Sequence, residues 1–342
     1  MIKNVNRLLI RSTNWIGDAV MTTPAVRSIR KNFPHAHITM LAKPWVAPVF
    51  AHSLQVDDII EFDANGRHRG VAGILRLSKD LRRFRFDAAI FLQNAIEAAL
   101  IAFMAGIPRR IGFDTDARRL LLTHPVRCTP SIKAIHQTGY YLEILKGVGL
   151  RAGTQALELT LGKADQQRAR QVLRDHGMGP DAPIIGLNPS ATFGPAKQWF
   201  PRRYAALGER LHRAYGATML IFGGPSDRGL GRRISGMMNA PCIDLSGQTS
   251  LGEAMALIDR CDAFVTNDSG LMHVAAALNT PLVAVFGSTN ATTTSPYSAS
   301  SRIVRVPMDC SPCMQPVCPL GHMNCMKAVS VEMVADALSA LL

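Results

Sequence analysis

The run Val265-Thr266-Asn267-Asp268-Ser269-Gly270-Leu271-Met272-His273 joins a short apolar segment to an alanine-rich one, and the residues at the joint suit an anion. Ala263 to Thr266 reads as a buried strand and the stretch from Leu271 as a helix, so Asn267 to Gly270 form a strand-to-helix turn. A helix start leaves backbone N–H groups without intrahelical acceptors. Those groups and the helix dipole together favour a negative charge by roughly 0.3–1 kcal/mol when exposed, so phosphate is the natural guest. The competing reading is that Asp268 and Ser269 only cap the helix.

Other strand ends carry comparable turns. Pro183 to Leu187 runs into Asn188-Pro189-Ser190, Met219 to Phe222 into Gly223-Gly224-Pro225-Ser226-Asp227, and Leu282 to Phe286 into Gly287-Ser288-Thr289-Asn290. Several small, polar, glycine-bearing turns at one edge of a parallel sheet are where such sheets hold ligands. A carboxylate stands at the first strand end of the chain. Arg7 to Ile10 is followed by the loop Arg11 to Asp18 and a periodic segment Ala19 to Arg30. With Gly17 as its only glycine, the loop lacks the G-x-G-x-x-G dinucleotide fingerprint. Asp18 therefore reads either as a helix N-cap or as a general base facing the ligand edge.

These residues need a scaffold of alternating strands and helices. Further strands are expected at His37 to Leu41, Ile59 to Phe62, Ala88 to Leu92 and Arg109 to Phe113, with helices at Gly70 to Arg83, Glu97 to Ala105 and His136 to Val148. His136, at that helix start, reads as a surface histidine. Leu157 to Leu161 suggests a short strand, and the polar helix Lys163 to Asp175, followed by Gly177, Gly179 and Pro180, marks a crossing into a second round of β/α units. A chain of 342 residues is long for one core, so two α/β domains are expected, 1–160 and 161–342. The last segment, Val331 to Leu342, should be an amphipathic helix that closes the chain and could pack back on the first domain.

The formal net charge is +13, with basic clusters at Arg67-His68-Arg69, Lys79 to Arg85, Arg109-Arg110, Arg118-Arg119 and Arg202-Arg203, mostly in the first half. Such an excess suits a phosphorylated substrate or an anionic membrane surface. No helix-turn-helix, RNP, KH or zinc-finger pattern supports nucleic acid. No apolar run approaches the roughly 20 residues of a membrane span, and the start leads straight into a strand, so a cytoplasmic protein is expected. Cys310, Cys313, Cys318 and Cys325 crowd a proline-rich loop near the end. Reduced thiols are the first reading, with a metal site or a stress-induced disulfide as alternatives.

Five segments, in order along the chain, resemble one family: Asn14-Trp15-Ile16-Gly17-Asp18, Ala105-Gly106-Ile107-Pro108-Arg109-Arg110-Ile111-Gly112, Lys197-Gln198-Trp199, Thr266 to His273 and Phe286-Gly287-Ser288-Thr289. The chain is similar to the ADP-heptose:lipopolysaccharide heptosyltransferases of glycosyltransferase family 9, most of all to the heptosyltransferase II branch. The Cys318-Pro319-Leu320-Gly321-His322 ending adds to that likeness. The resemblance implies a GT-B architecture, two Rossmann-like domains facing a central cleft, with acceptor on the first and sugar nucleotide on the second. It implies Asp18 as the base, Lys197 on the donor phosphates, Asp227 at the nucleotide ribose, and Asp268, Ser269 and Gly270 at the diphosphate and heptose. Thr192, His273 and Gly287 join the donor-binding set.

The implied substrates are ADP-L-glycero-D-manno-heptose and a heptosyl-Kdo2-lipid A acceptor, at the inner face of the inner membrane, with no metal, no cofactor and a monomer favoured. Glycosyl transfer passes through an oxocarbenium-like state while a diphosphate leaves, so the site needs a cation or oriented amides. A positioned base adds about 10²–10⁴ in rate, here in an inverting single displacement. Arg67, Arg69, Lys79, Arg82 and Arg83 would orient the protein on the membrane. The rival readings are heptosyltransferase I or III, a non-catalytic nucleotide-sugar-binding module, and an oxidoreductase or epimerase, for which the first loop lacks its glycines.

Overall fold

Apolar strand segments long enough to be buried on both faces recur twice, and in the computed structural model they build two parallel sheets. Residue 2 and residues 4–342 are described. The chain divides into two compact units, Met1–Thr160 and Leu161–Leu342.

Unit 1 has strands β1 (Arg7–Arg11), β2 (His37–Ala42), β3 (Asp58–Glu61), β4 (Ala88–Phe91), β5 (Arg109–Phe113) and β6 (His124–Val126). Its helices are α1 (Ile16–Met21), α2 (Thr23–Asn32), α3 (Gly70–Arg82), α4 (Ile96–Met104), α5 (Pro130–Ala134) and α6 (Gln137–Gly147). The strand order is β3-β2-β1-β4-β5-β6, every pair parallel. Leu9, Leu41, Ala89 and Phe91 of the sheet share a core with Leu77 and Leu81 of α3 and Ile101 of α4.

Unit 2 begins with α7 (Lys163–Asp175) and has strands β7 (Ile184–Asn188), β8 (Thr218–Ile221), β9 (Cys242–Asp244), β10 (Ala263–Asn267), β11 (Leu282–Val285) and β12 (Ser301–Val304). Its later helices are α8 (Pro201–Tyr215), α9 (Arg228–Ser235), α10 (Leu251–Asp259), α11 (Gly270–Ala277), α12 (Ala291–Thr294), α13 (Asn324–Lys327) and α14 (Val331–Ser339). The order β12-β11-β10-β7-β8-β9 repeats the topology of unit 1. In each unit the order reverses once, between β1 and β4 and between β7 and β10. At such a switch point adjacent crossovers leave to opposite faces and open a crevice at the carboxyl ends of the strands.

Local chemistry explains the element ends. In α10, Ser250 Oγ accepts from the Glu253 N–H at 3.2 Å while Glu253 Oε2 accepts from the Ser250 N–H at 2.7 Å, a reciprocal cap. The expected single helix from Ala19 to Arg30 is two, because Thr22 and Thr23 turn their hydroxyls onto the Ala19 and Val20 carbonyls and Pro24 follows. Leu157 to Leu161 is not a strand. Side chains of α2 hold that segment: Arg27 donates to the Ala156 carbonyl at 2.9 Å and to Glu158 at 3.1 Å, and Thr23 Oγ1 accepts from the Glu158 N–H. The outer strands β6 and β12 were not anticipated; one contains Pro125, tolerated only at an edge, and the other carries half-exposed Ser301 and exposed Arg302.

Helix α14 packs on α8, β11 and β12, with Val334, Ala335 and Leu338 in the core of its own unit. Among the described residues no helix is long and apolar enough to cross a membrane. Central strands leave little space: a Cβ on Gly186 would lie 2.4 Å from the Phe264 ring. Gly186→Ala should therefore lower stability by about 1–3 kcal/mol, read as a lower unfolding temperature; an unchanged melting curve would contradict this packing.

Candidate donor and acceptor sites

Both strands that flank the unit 2 switch point end on asparagine. Asn267, with no exposed surface, closes β10, and Asn188 closes β7. The Asn267 carbonyl oxygen accepts from the Trp199 N–H at 3.0 Å and the Tyr204 hydroxyl at 3.1 Å, and its amino group donates to the Pro189 carbonyl at 2.7 Å. Burial holds the Tyr204 hydroxyl protonated by pushing its pKa upward. Asn188 Nδ2 donates to Thr266 Oγ1 at 2.9 Å and to Ser269 Oγ at 2.6 Å. One amide thus ties the loop before α8 to β10, and the other ties the turn after β10 to β7.

These ties place Lys197. Its Nζ lies 2.6 Å from Asp268 Oδ2 and 5.0 Å from the centroid of the Phe193 ring. Thr289 Oγ1 donates to the same Asp268 oxygen at 2.6 Å. The pair is well shielded, with side-chain exposures of 14% for Lys197 and 5% for Asp268. Ser269 is the N-cap residue of α11, yet its side chain makes no capping bond. The capping reading therefore fails: Asp268 is turned to Lys197 and Ser269 to Asn188. The α11 start keeps backbone donors beside an ammonium, which is how proteins receive a phosphate.

The remaining expected donor residues divide. Gly287 follows β11, where an added Cβ would meet Met326 Sδ at 2.5 Å and Cys325 Sγ at 3.0 Å, so close packing requires the glycine. His273 is buried within α11, and Thr192 is exposed on the turn before Gly194. Asp227 accepts from the Gly224 N–H at 2.8 Å and so stiffens its own turn. Among the described residues neither Thr192 nor Asp227 bonds to the Lys197–Asp268 group.

The cysteine loop braces this site. Ser311 Oγ donates to the Gly287 carbonyl at 2.6 Å, the Met314 N–H to the Ser288 carbonyl at 2.8 Å, and the Ala196 N–H to the Pro316 carbonyl at 3.0 Å. Cys310, Cys313, Cys318 and Cys325 line one cavity of about 20 Å³ with His322 and Ser288, and all seven cysteines are free thiols. Backbone N–H groups, that of Met323 foremost, hold the Cys318 thiol below its ordinary pKa, whereas burial raises that of Cys325. Among the described residues no group of three or more His, Cys, Asp or Glu is placed to hold a metal ion.

In unit 1, Asp18 is half-buried at the third position of α1, whose N-cap is Trp15, so it is not the cap residue. Tyr141 of α6 lies close enough that the Asp18 carboxylate adds to the burial that raises its pKa. His136 is the N-cap of α6, its ring nitrogen accepting from the Thr138 N–H. Sequence reasoning missed a set of buried cations at the strand ends. Arg11, 1% exposed, donates to the Ser12 carbonyl at 2.6 Å and to Asn14 Oδ1 at 2.9 Å. Arg118, with no exposed surface, donates to the Phe113 and Gln93 carbonyls and to Asn94 Oδ1. Burial brings both guanidinium pKa values down to about 10. Lys43 completes the set. A single basic residue ending an apolar run, as in Leu8-Leu9-Ile10-Arg11 or Met40-Leu41-Ala42-Lys43, was the available signal.

The duplicated switch-point topology and the anion-ready start of α11 define a class, two-unit α/β proteins built to hold a nucleotide-type ligand. The family model of glycosyltransferase family 9 (heptosyltransferase) matches residues 74–324. Lipopolysaccharide heptosyltransferase 2 of Escherichia coli (strain K12) is 32% identical over 308 residues, covering 88% of each chain. The solved structure of E. coli ADP-heptose lps heptosyltransferase II matches with a TM-score of 0.83 and 29% identity, covering 98% of both chains. A family 9 glycosyltransferase from Veillonella parvula DSM 2008 matches at 0.90 and 26%, over 98% of this chain and 97% of that one. The chain belongs to glycosyltransferase family 9, the heptosyltransferases. Its two parallel six-stranded sheets carry the GT-B fold of those enzymes.

The Asn267 amide leads to a stability prediction for the donor side. Asn267→Ala leaves the Trp199 N–H and the Pro189 carbonyl without their partner and the Tyr204 hydroxyl with only the Asn188 carbonyl at 3.2 Å, and should cost about 3 kcal/mol or more. Tyr204→Phe, which leaves the other two bonds intact, should cost only about 1 kcal/mol. Equal losses in denaturant unfolding of the two variants would contradict the hub.

Proposed function

We propose that this enzyme transfers heptose from ADP-L-glycero-D-manno-heptose to a heptosyl-Kdo2-lipid A acceptor in lipopolysaccharide inner-core synthesis. The observation that carries the reading is the Lys197–Asp268 pair at the uncapped start of α11 in a family 9 chain. The donor diphosphate competes with Asp268 for the Lys197 ammonium and takes the α11 N–H groups, which meet the negative charge that develops as ADP departs. Thr192, Asp227, His273 and Gly287 belong to the same donor side, with Asp227 at the ribose.

On the acceptor side, Asp18 takes the proton of the attacking hydroxyl as its oxygen bonds to the heptose anomeric carbon and the bond from that carbon to the diphosphate breaks. A single displacement inverts the anomeric centre. The charge change is balanced by protein groups alone, so no metal or cofactor is assigned. The acceptor is lipid-linked, and the enzyme is placed at the cytoplasmic face of the inner membrane as a monomer. Val71 and Leu75 of α3, 77% and 54% exposed, stand among exposed Arg67, Arg69, Lys79, Arg82 and Arg83, a mixed apolar and basic surface suited to anionic lipid.

Two measurements follow. With a one-heptose acceptor and a heptose-free acceptor offered separately, ADP release should be fast only on the first, and Asp18→Ala should slow it about 10²–10⁴-fold. Preference for the heptose-free acceptor would move the chain to heptosyltransferase I, and full activity of Asp18→Ala would remove the base. Charge reversal at Arg67, Arg69, Lys79, Arg82 and Arg83 should abolish co-sedimentation with phosphatidylglycerol vesicles; unchanged co-sedimentation would contradict the membrane placement.

A further inference from the structure

Lys43 follows directly on β2 and is 6% exposed. Its ammonium lies 3.5 Å from the centroid of the Phe62 ring, and among the described residues no oxygen accepts a hydrogen bond from it. Burial lowers its pKa, the neighbouring Arg11 guanidinium lowers it further, and Glu97 and Asp63 pull the other way. A cation held beside another cation in a largely buried place is unfavourable unless an anion completes it.

The surroundings are short of partners in the same sense. Arg11 Nε, Ser12 Oγ, Thr13 Oγ1 and Gln93 Oε1 are buried polar atoms without one. Ser12 and Thr13 leave the carboxyl end of β1, Gln93 that of β4, and these two strands flank the unit 1 switch point. Arg11 pairs with Leu41 across β1 and β2, and the Ser12 N–H continues the ladder to the Leu41 carbonyl at 3.0 Å. The paired strands therefore deliver Ser12-Thr13 and Lys43 to the same edge of the sheet. Native proteins rarely leave several buried polar groups unmatched in one place unless a ligand matches them.

We propose that Lys43 is the anion ligand of the acceptor subsite, donating to a carboxylate or phosphate oxygen of the acceptor while the Ser12 and Thr13 hydroxyls donate to the same group. This rests on the glycosyl-transfer reading and adds to it the residue that recognises acceptor charge. A lysine retained for folding would contribute stability, whereas one retained for an absent anion lowers it.

The test measures unfolding temperature, and acceptor affinity by calorimetry without donor, for the full chain, Lys43→Met and Lys43→Gln. The probe is the deacylated core oligosaccharide, with its phosphates intact or removed. Both variants should melt at the wild-type temperature or above it. They should bind the acceptor about tenfold to a hundredfold more weakly, the size of one charge-assisted hydrogen bond, with the donor KM unchanged. If the difference persists on the dephosphorylated acceptor the partner is a sugar carboxylate, and if it vanishes the partner is phosphate. Lower melting of both variants, wild-type affinity in a variant, or no acceptor binding by the wild type would overturn the proposal. Lys43-dependent binding by a wild type that transfers no heptose would keep the subsite and remove the transfer reading instead.

Discussion

Asn267 is the constraint on which the donor side depends. A primary amide with no exposed surface must have its oxygen and nitrogen matched, and here a backbone N–H, a tyrosine hydroxyl and a proline carbonyl match them. Each partner lies on a different segment, so one side chain fixes the loop before α8, the helix α8 itself and the turn after β7. Lys197 reaches Asp268 because Trp199, two residues on, is held by that amide and by the bond from its indole N–H to the Val329 carbonyl at 3.0 Å. The cysteine loop and the Gly287 turn then press on the same place from the other side. The result is a helix start whose own N-cap side chain is engaged elsewhere, next to a shielded cation.

The two units share a strand order and differ in what they place at the switch point. Unit 2 offers oriented amides and one paired lysine, an arrangement that binds an anion whose charge changes during reaction. Unit 1 offers Arg11, Lys43 and Arg118, each buried and each held mainly by neutral oxygens or aromatic rings. Such fixed positive charge is suited to recognising an anion that stays charged. The duplication of topology with divergence of chemistry is the ground for the proposal that one unit handles a leaving group and the other an acceptor.

Much of this was legible in the sequence. Period and apolar runs located ten of the twelve strands, the short run Cys242 to Leu245 at β9 among them, because parallel strands are largely apolar on both faces. The strands β6 and β12 were missed since edge strands need not be apolar, and the spurious strand at Leu157 to Leu161 has the right residue types but is held by α2 side chains, a tertiary effect. The phosphate-ready turn was visible as Asn-Asp-Ser-Gly, but whether Asp268 and Ser269 cap the helix depends on Lys197 and Asn188, 71 and 81 residues distant from them. Arg11, Lys43 and Arg118 were hidden for the opposite reason. In a chain of net charge +13 a single basic residue reads as surface; the apolar runs that Arg11 and Lys43 end are the one mark against that, and Arg118 has none, so burial is what distinguishes it.

The central claim is that the start of α11 and Lys197 receive the donor diphosphate. A crystal structure with ADP bound tests it most directly. The diphosphate should lie within hydrogen-bonding distance of the Gly270 and Leu271 N–H groups, with Lys197 Nζ moved from Asp268 onto a phosphate oxygen. A diphosphate bound elsewhere, with the Lys197–Asp268 pair intact at 2.6 Å, would contradict it.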